Sequence, residues 1–384
     1  MLDPFDDYPI HQTGAPVSQP ASGDRNHYDR YFFNGYDADG SGDVFFAVAM
    51  GLYPNRSVID AAFSVVSGGV QRNVHASGRA PAQRTDTSCG PVRIEIVDPL
   101  RELRVVVDPE AHGIGCDLTW RSRTVAVEED RFVRHSGPRV VMDYTRMTQF
   151  GTWEGTIHTG DREVQVQPDS FVGSRDRSWG IRTVGEGEGG APNPSLPQFF
   201  WLWAPINFTD GATHFDVNET AIGERWHQTG FDIPLTSADG PVLDPGGIEE
   251  SAQPMRAVDW HIDWEPGTRR ARSASLTFTP WNGEPGTIEL EPVLTFQMLG
   301  IGYFHPEWSH GHWKGESESG YDEWRVDDLD PTAPQHTHVQ QLVRARWGDR
   351  TGVGVLEQLA IGEHHPSGLT GLFDGAPGAG RGDG

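Results

Sequence analysis

The 384-residue chain carries 55 Asp and Glu against 30 Lys and Arg, a formal net charge of -25. That balance excludes nucleic acid and anionic membrane surfaces as natural partners, because a phosphate backbone would be repelled rather than neutralised. With 47 Gly, 28 Pro and almost no helical periodicity, the composition points to an all-β protein long enough for one large or two ordinary domains.

In chain order, residues 1–25 are polar and Pro/Gly-rich and read as a disordered N-terminal segment. The acidic start Met1-Leu2-Asp3-Pro4-Phe5-Asp6-Asp7 lacks the basic and apolar parts of a signal peptide, and no run reaches membrane-spanning length. A cytoplasmic protein without stable membrane insertion is expected. Tyr31-Phe32-Phe33-Asn34 runs into an Asp39-Gly40 turn and then Val44–Val48, the pattern of a hairpin whose glycine supplies positive φ. Cys89 and Cys116 have no CxxC spacing, which argues against a disulfide framework or a thiolate zinc site. Short strands such as Arg104–Val107, and the marks Leu118-Thr119-Trp120 and Gly151-Thr152-Trp153, continue the β pattern.

The run from Phe171 to Arg182 is densely charged. As a strand it places Phe171, Arg175, Arg177, Trp179 and Ile181 on one face, and Ser174, Asp176, Ser178 and Arg182 on the other. Neighbouring guanidinium groups would lower the pKa of Asp176 and keep it ionised, as an orienter or cation stabiliser; the alternative is a surface ion pair. Trp179 beside arginines suits core packing or a flat apolar ligand.

The Gly/Pro-rich stretch 185–197 is a linker, and its acidic glycines make a poor phosphate cradle. Beyond it the first half is echoed: Phe199-Phe200-Trp201-Leu202-Trp203 runs into Asp210-Gly211 and then His214–Val217, while Leu294-Thr295-Phe296 precedes Gly311-His312-Trp313. These echoes point to an internal duplication, with a domain at 26–165, a second at 166–370 and a disordered tail at 371–384. Two such barrels offer a small apolar ligand a barrel mouth or a domain seam.

His310-Gly311-His312 with Glu316 matches half of a cupin metal motif, but the second half is missing, so these residues are weak metal candidates and no cofactor is expected. His338 shares a face with His336, Gln340, Arg344 and Arg346, which is wet surface or polar pocket lining. A hairpin spanning 339–361, turning near 348–352, places Glu357 on one face with Val353, Val355, Leu359 and Ile361. A carboxyl in an apolar stripe is desolvated and suited to delivering a proton; its bland alternative is an ion pair with Arg175 or Arg177. No GxSxG elbow, GxxxxGK[ST] loop or strand–GxGxxG–helix unit occurs.

The Asp176-Arg177-Ser178-Trp179-Gly180 run, set between two β halves with Gly-x-Trp marks at 151–153 and 311–313, resembles the Asp-His-x-Trp-Gly signature of the duplicated lipocalin-like superfamily. That group includes carotenoid 1,2-hydratases, AttH-like proteins, Diels–Alderase-type cyclases and survival-factor-like proteins. The stretch His305–Gly368 more specifically resembles an actinobacterial branch of it. The resemblance implies two lipocalin-like antiparallel β-barrel or sandwich domains with a ligand cavity at their junction. Asp176, Trp179 and Gly180 match the signature, whereas Arg177 stands where the family has His, and an arginine stays charged and cannot donate the proton.

Together these observations lead to a cofactor-independent hydratase, isomerase or cyclase (a lyase or an isomerase) acting on a hydrophobic isoprenoid-, steroid- or polyketide-like molecule. Glu357, His310, His312 or His338 would donate the proton, Asp176 with Arg175 and Arg177 would order the site, and Trp179, Trp201 and Trp203 would line it. The alternatives are a non-catalytic carrier of a hydrophobic ligand and a cupin-like metal enzyme. A homodimer is one admissible assembly.

Overall fold

The computed structural model describes residues 2–185, 191, 196–236 and 252–377. Most of the linker expected at 185–197 and the last seven residues of the expected tail lie outside the described residues. Two antiparallel sheets, of 14 and nine strands, make up the fold, which is all-β and lipocalin-like with two barrel-like sheets. No helix among the described residues is long and apolar enough to cross a membrane.

The first sheet runs in the order Val70–Arg79, Val58–Ser67, Val44–Tyr53, His27–Asp37, Phe171–Arg182, Arg139–His158, Gly115–Ser122, Glu102–Val107, Val92–Asp98 and Ser88–Cys89. It curls so that Cys89 and Val92 join Ile59 and Val74 in one core with Phe33, Phe46, Trp120 and Trp153. The second closes on itself. Gly211–Glu219 pairs with Arg225–Pro234, and the path continues through Gln253–Trp264, Ala271–Pro280, Gly286–Gln297, Val339–Trp347 and Arg350–Ile361 to Phe199–Trp203, which returns to Gly211–Glu219. Phe200, Leu202, Phe215, Leu276 and Phe278 fill its interior.

A third core lies between the sheets, where Phe32, Tyr36 and Phe45 of the first meet Trp201, Trp203, Phe296, Leu342 and Val355 of the second. Strands that serve two cores are apolar on both faces: Phe33 points into the first barrel while Phe32 points into the seam. This explains the unbroken Tyr31-Phe32-Phe33 and Val44–Ala49 runs. Ala271–Pro280 covers one core only, so Ala274, Leu276 and Phe278 are buried while Ser275, Thr277 and Thr279 are not.

Several expectations need revision. The boundary expected at 165/166 falls within the first sheet, because Phe171–Arg182 pairs with His27–Asp37 and Arg139–His158. The chain also returns from the second half, as Ser317–Arg325 pairs with Val70–Arg79 at the edge of the first sheet. Residues 2–25, expected to be disordered, begin with a 3-10 turn at Pro4–Asp7 in a capping box of Asp3 and Asp6, and Asn55 Nδ2 donates to the carbonyls of Ser22 and Asp24 at 2.7 Å each. The first part of the expected tail is docked as well: Arg269 binds Asp374 at 2.6 Å and the Gly371 carbonyl at 2.9 Å, and Ala376 is buried. Low complexity there did not prevent docking, because a buried guanidinium collects backbone carbonyls whatever side chains the tail carries. Gly40 has the positive φ the first hairpin demands, whereas Gly211 begins a strand and does not. Of the two Gly-x-Trp marks, Trp153 is core and donates to the Asn34 carbonyl at 3.0 Å, but Trp313 lies in a loop, 42% exposed, against Arg79.

Candidate functional site

One face of each sheet builds the seam. On the first, pairing sets Phe32, Asp176 and Thr148 abreast, then Arg30, Ser178 and Arg146, then Tyr28, Gly180 and Tyr144. Gly180 has φ 138°, and a methyl group there would lie 2.4 Å from the Asp143 carbonyl oxygen, so only glycine fits beside Tyr144. On the second sheet Glu357 sits between Gln340 and Trp203 on neighbouring strands.

Asp176 and Glu357, one from each sheet, line the same chamber of about 20 Å³, with Arg30, Arg146, Arg182, Tyr144, Trp201, Trp203 and Tyr303 among the other walls. That volume admits a single water-sized group. Asp176 makes no hydrogen bond or ion pair with any described residue. Burial pushes its carboxyl up to about 6; Arg146 and Arg30 oppose the rise and Glu129 and Glu357 add to it. The expected lowering by sequence neighbours is therefore corrected. Arg175 and Arg177 point to the opposite side of the strand, where Arg175 binds Gln149 Oε1 at 2.7 Å and Arg177 binds Asp29 at 2.6 Å over the Tyr31 ring.

Glu357 is paired neither with Arg175 nor with Arg177. Its Oε1 accepts from His338 Nε2 at 2.6 Å and its Oε2 from Gln340 Nε2 at 2.7 Å. The pairing places the imidazole proton on Nε2 and leaves the buried Nδ1 of His338 without a partner. The two carboxyls thus exchange their expected roles: Asp176 is the isolated acid, and Glu357 orients a histidine.

The chamber shares Tyr144, Arg182, Trp201 and Tyr303 with a larger cavity of about 610 Å³. Met142, Phe199, Phe304, Leu359 and Ile361 give that cavity apolar walls, and His310, His312 and His338 also line it. The size and lining suit a small hydrophobic molecule. His310 is pushed down to about 3 by burial, with Arg30 adding to the effect, so it is neutral near pH 7 and unsuited to donating a proton as an imidazolium. A groove of about 750 Å³ at another part of the seam is lined instead by Arg123, Arg344, Arg346, Glu289, Glu291 and Asp169.

Behind the chamber, Arg146 makes three hydrogen bonds to Glu129, from Nε to both carboxylate oxygens at 2.9 Å and from Nη2 at 2.5 Å, and another to Asp216. Trp201 Nε1 and Thr148 Oγ1 complete these carboxylates, at 2.7 Å to Asp216 and 2.6 Å to Glu129. Against the cost of burial, Arg146 and His214 hold Glu129 well below the usual carboxylate range. Glu129, Asp216 and His227 are close enough together to hold a metal ion, but a guanidinium already supplies the cation. His75, His305 and Asp322 form a second such group. There His305 Nδ1 accepts from the backbone of Glu307 and Trp308 at 3.1 and 2.9 Å, so its Nε2 carries the proton given to Asp322 at 2.8 Å. A metal would have to displace that proton, and the group works as a clamp on the loop.

Of the residues singled out from sequence, the structure brings Asp176, Glu357, His338, His310, His312, Trp201 and Trp203 to the chamber or cavity. It removes Arg175, Arg177 and Trp179, whose ring is 43% exposed on the far face. Glu316 is bound to Arg79 at the surface at 2.5 Å and does not join His310 and His312. Arg30, Arg146, Tyr144 and Tyr303 are the wall residues sequence reasoning missed. Their one signal is an arginine inside an aromatic strand, Tyr28-Asp29-Arg30-Tyr31-Phe32.

No curated protein matches the chain. Among solved structures it is similar to a protein assigned as an AttH from Nitrosomonas europaea, at 13% identity over 91% of this chain and 97% of that one, with a TM-score of 0.53. It also matches the structure of CghA at 14% identity over 88% of this chain and 90% of that one, with a TM-score of 0.46. At such identities the first likeness shows a shared fold, in line with the two barrel-like sheets described above. A family model described as a family of unknown function (DUF8625) matches residues 2–370, and the chain belongs to that family.

Proposed function

We propose that the protein is a cofactor-independent hydratase, isomerase or cyclase that acts on a hydrophobic isoprenoid-, steroid- or polyketide-like molecule held in the seam cavity. The observation that carries this is an unpaired acid, Asp176, in the chamber, and an oriented imidazole, His338 on Glu357, in the apolar cavity that shares Tyr144, Arg182, Trp201 and Tyr303 with it. Protonated Asp176 gives its proton to an alkene carbon or a carbonyl oxygen of the ligand. Trp201 and Tyr144 face the carbocation or protonated carbonyl that develops. A water oxygen, or a second double bond of the ligand, then bonds to the electron-poor carbon, and the proton released passes to His338 Nδ1. Glu357 holds the imidazolium so formed.

The test begins with native mass spectrometry of the purified protein to identify a co-purified ligand, followed by turnover of that compound. Asp176→Asn is expected to slow turnover by roughly 10²–10⁴-fold while ligand binding persists. Turnover unchanged in Asp176→Asn removes the assignment, and a ligand recovered unaltered from the wild type makes the protein a carrier.

A further inference from the structure

Four carboxyls and three guanidiniums approach the chamber, and they are unevenly satisfied. Arg146 is held by Glu129 and Asp216 through Nε and Nη2, and Glu357 by His338 and Gln340. Arg30 is 2% exposed, yet among the described residues Nη1 makes its only side-chain hydrogen bond, to the Tyr303 hydroxyl at 2.9 Å, while Nε and Nη2 are buried without a partner there. Among the described residues the Arg182 side chain also hydrogen-bonds only to that hydroxyl, at 3.4 Å, and it lines both the chamber and the cavity. Neither has a carboxylate within ion-pair distance among the described residues. Tyr303 accepts from both, so its own hydroxyl proton remains to be given. Buried cations with idle donors are costly unless an anion completes them.

We propose that the ligand of the seam cavity carries an acidic oxygen, a carboxylate or an enolate, which Arg30, Arg182 and the Tyr303 hydroxyl receive at the chamber. This rests on the cavity being a ligand site and narrows its substrate class from hydrophobic molecules in general to amphipathic acids. The chamber of about 20 Å³ admits one oxygen and excludes a phosphate or diphosphate group, so the head enters by a single atom while the apolar body fills the 610 Å³ behind it. Charge-assisted bonds from planar guanidinium groups supply the selectivity.

Dodecanoate and 1-dodecanol, equal in chain length and different in charge, test this on the full chain by titration calorimetry at about pH 5.5, where Asp176 is largely protonated and a free carboxylic acid is largely ionised. Dodecanoate is expected to bind at least about tenfold more tightly, and Arg182→Gln to bring it to within about twofold of dodecanol with dodecanol affinity unchanged. Arg182 is the residue to replace, since Arg30→Gln can unfold so buried a site; a thermal melt like that of the wild type confirms that the variant is folded. Equal affinities in the wild type, or a preference for the acid that survives in Arg182→Gln, overturn the inference and leave the proton-transfer assignment standing on the Asp176→Asn result. Failure of both probes to bind overturns both.

Discussion

The seam holds two clusters of the same residue types, one closed and one open. Around Arg146, every carboxylate oxygen of Glu129 and Asp216 finds a donor from Arg146, Thr148 or Trp201, and Arg146 and Asp216 meet between Arg139–His158 and Gly211–Glu219. One strand away, Asp176, Arg30 and Arg182 share a chamber and leave their charges uncompensated by direct contact. Burial alone does not mark a functional group, since Arg30 of one cluster and Arg146 of the other are both buried. Unspent hydrogen-bonding capacity does. The largest effect should therefore come from breaking the closed cluster: Arg146→Met strands two buried carboxylates and is expected to cost about 3–5 kcal/mol in urea unfolding. A loss below about 1 kcal/mol would show that water already reaches this cluster, and the contrast would fail.

Opening the comparison from the other side, Asp176→Asn should stabilise the fold. The Asp176 carboxyl is pushed up to about 6 in the folded chain from an ordinary 3.8, so between those values the native state holds more protons than the unfolded state. Stability is thus lost as pH rises from about 4 through about 6, and the deficit of roughly 3 kcal/mol persists above it. The amide variant lacks that loss. It is expected to be more stable than the wild type at pH 7–8 and equal to it below about pH 4, as measured by denaturant midpoints across pH. Catalysis by the protonated acid follows the native titration alone, so turnover should decline as pH rises through about 6. A variant no more stable than the wild type at pH 8 would mean that the carboxylate has a partner in solution.

Much of this was legible in the sequence because strands have a period of two. The hairpin of Val339–Trp347 and Arg350–Ile361 turns at Gly348-Asp349 within the expected 348–352 region, and Glu357 faces the seam with Val353, Val355 and Leu359. His338, left open between surface and pocket, proves to be pocket lining because Gln340 and Leu342 on its face are seam residues. The electrostatics were not legible. Residues adjacent in a strand project to opposite faces, so Arg175 and Arg177 have little say over Asp176. The groups that set its pKa, Arg146, Arg30, Glu129 and Glu357, come from across strands and across the seam, at separations no local pattern encodes. For the same reason the resemblance to the Asp-His-x-Trp-Gly signature located the strand but set Arg177 and Trp179 toward the ligand, whereas neither lines the chamber or the cavity.

That placement yields the smallest prediction. Arg177 pairs with the half-exposed Asp29 at 2.6 Å and lies over the Tyr31 ring, and Trp179 is 43% exposed; neither lines the chamber or the cavity. Arg177→Ala should forfeit an edge ion pair of about 0–1 kcal/mol and Trp179→Ala little more, because neither leaves a buried group without its partner. With the co-purified ligand as substrate, both variants are expected to keep turnover and affinity within about twofold of the wild type, since the sheet itself separates them from the chamber. Trp201→Ala makes the paired control: it removes a wall of the cavity and the donor to Asp216, so its effect on affinity should exceed that of either far-face variant. Should Arg177→Ala weaken binding more than Trp201→Ala, the ligand would have to reach the other side of Phe171–Arg182, and the seam would no longer be where the chemistry happens.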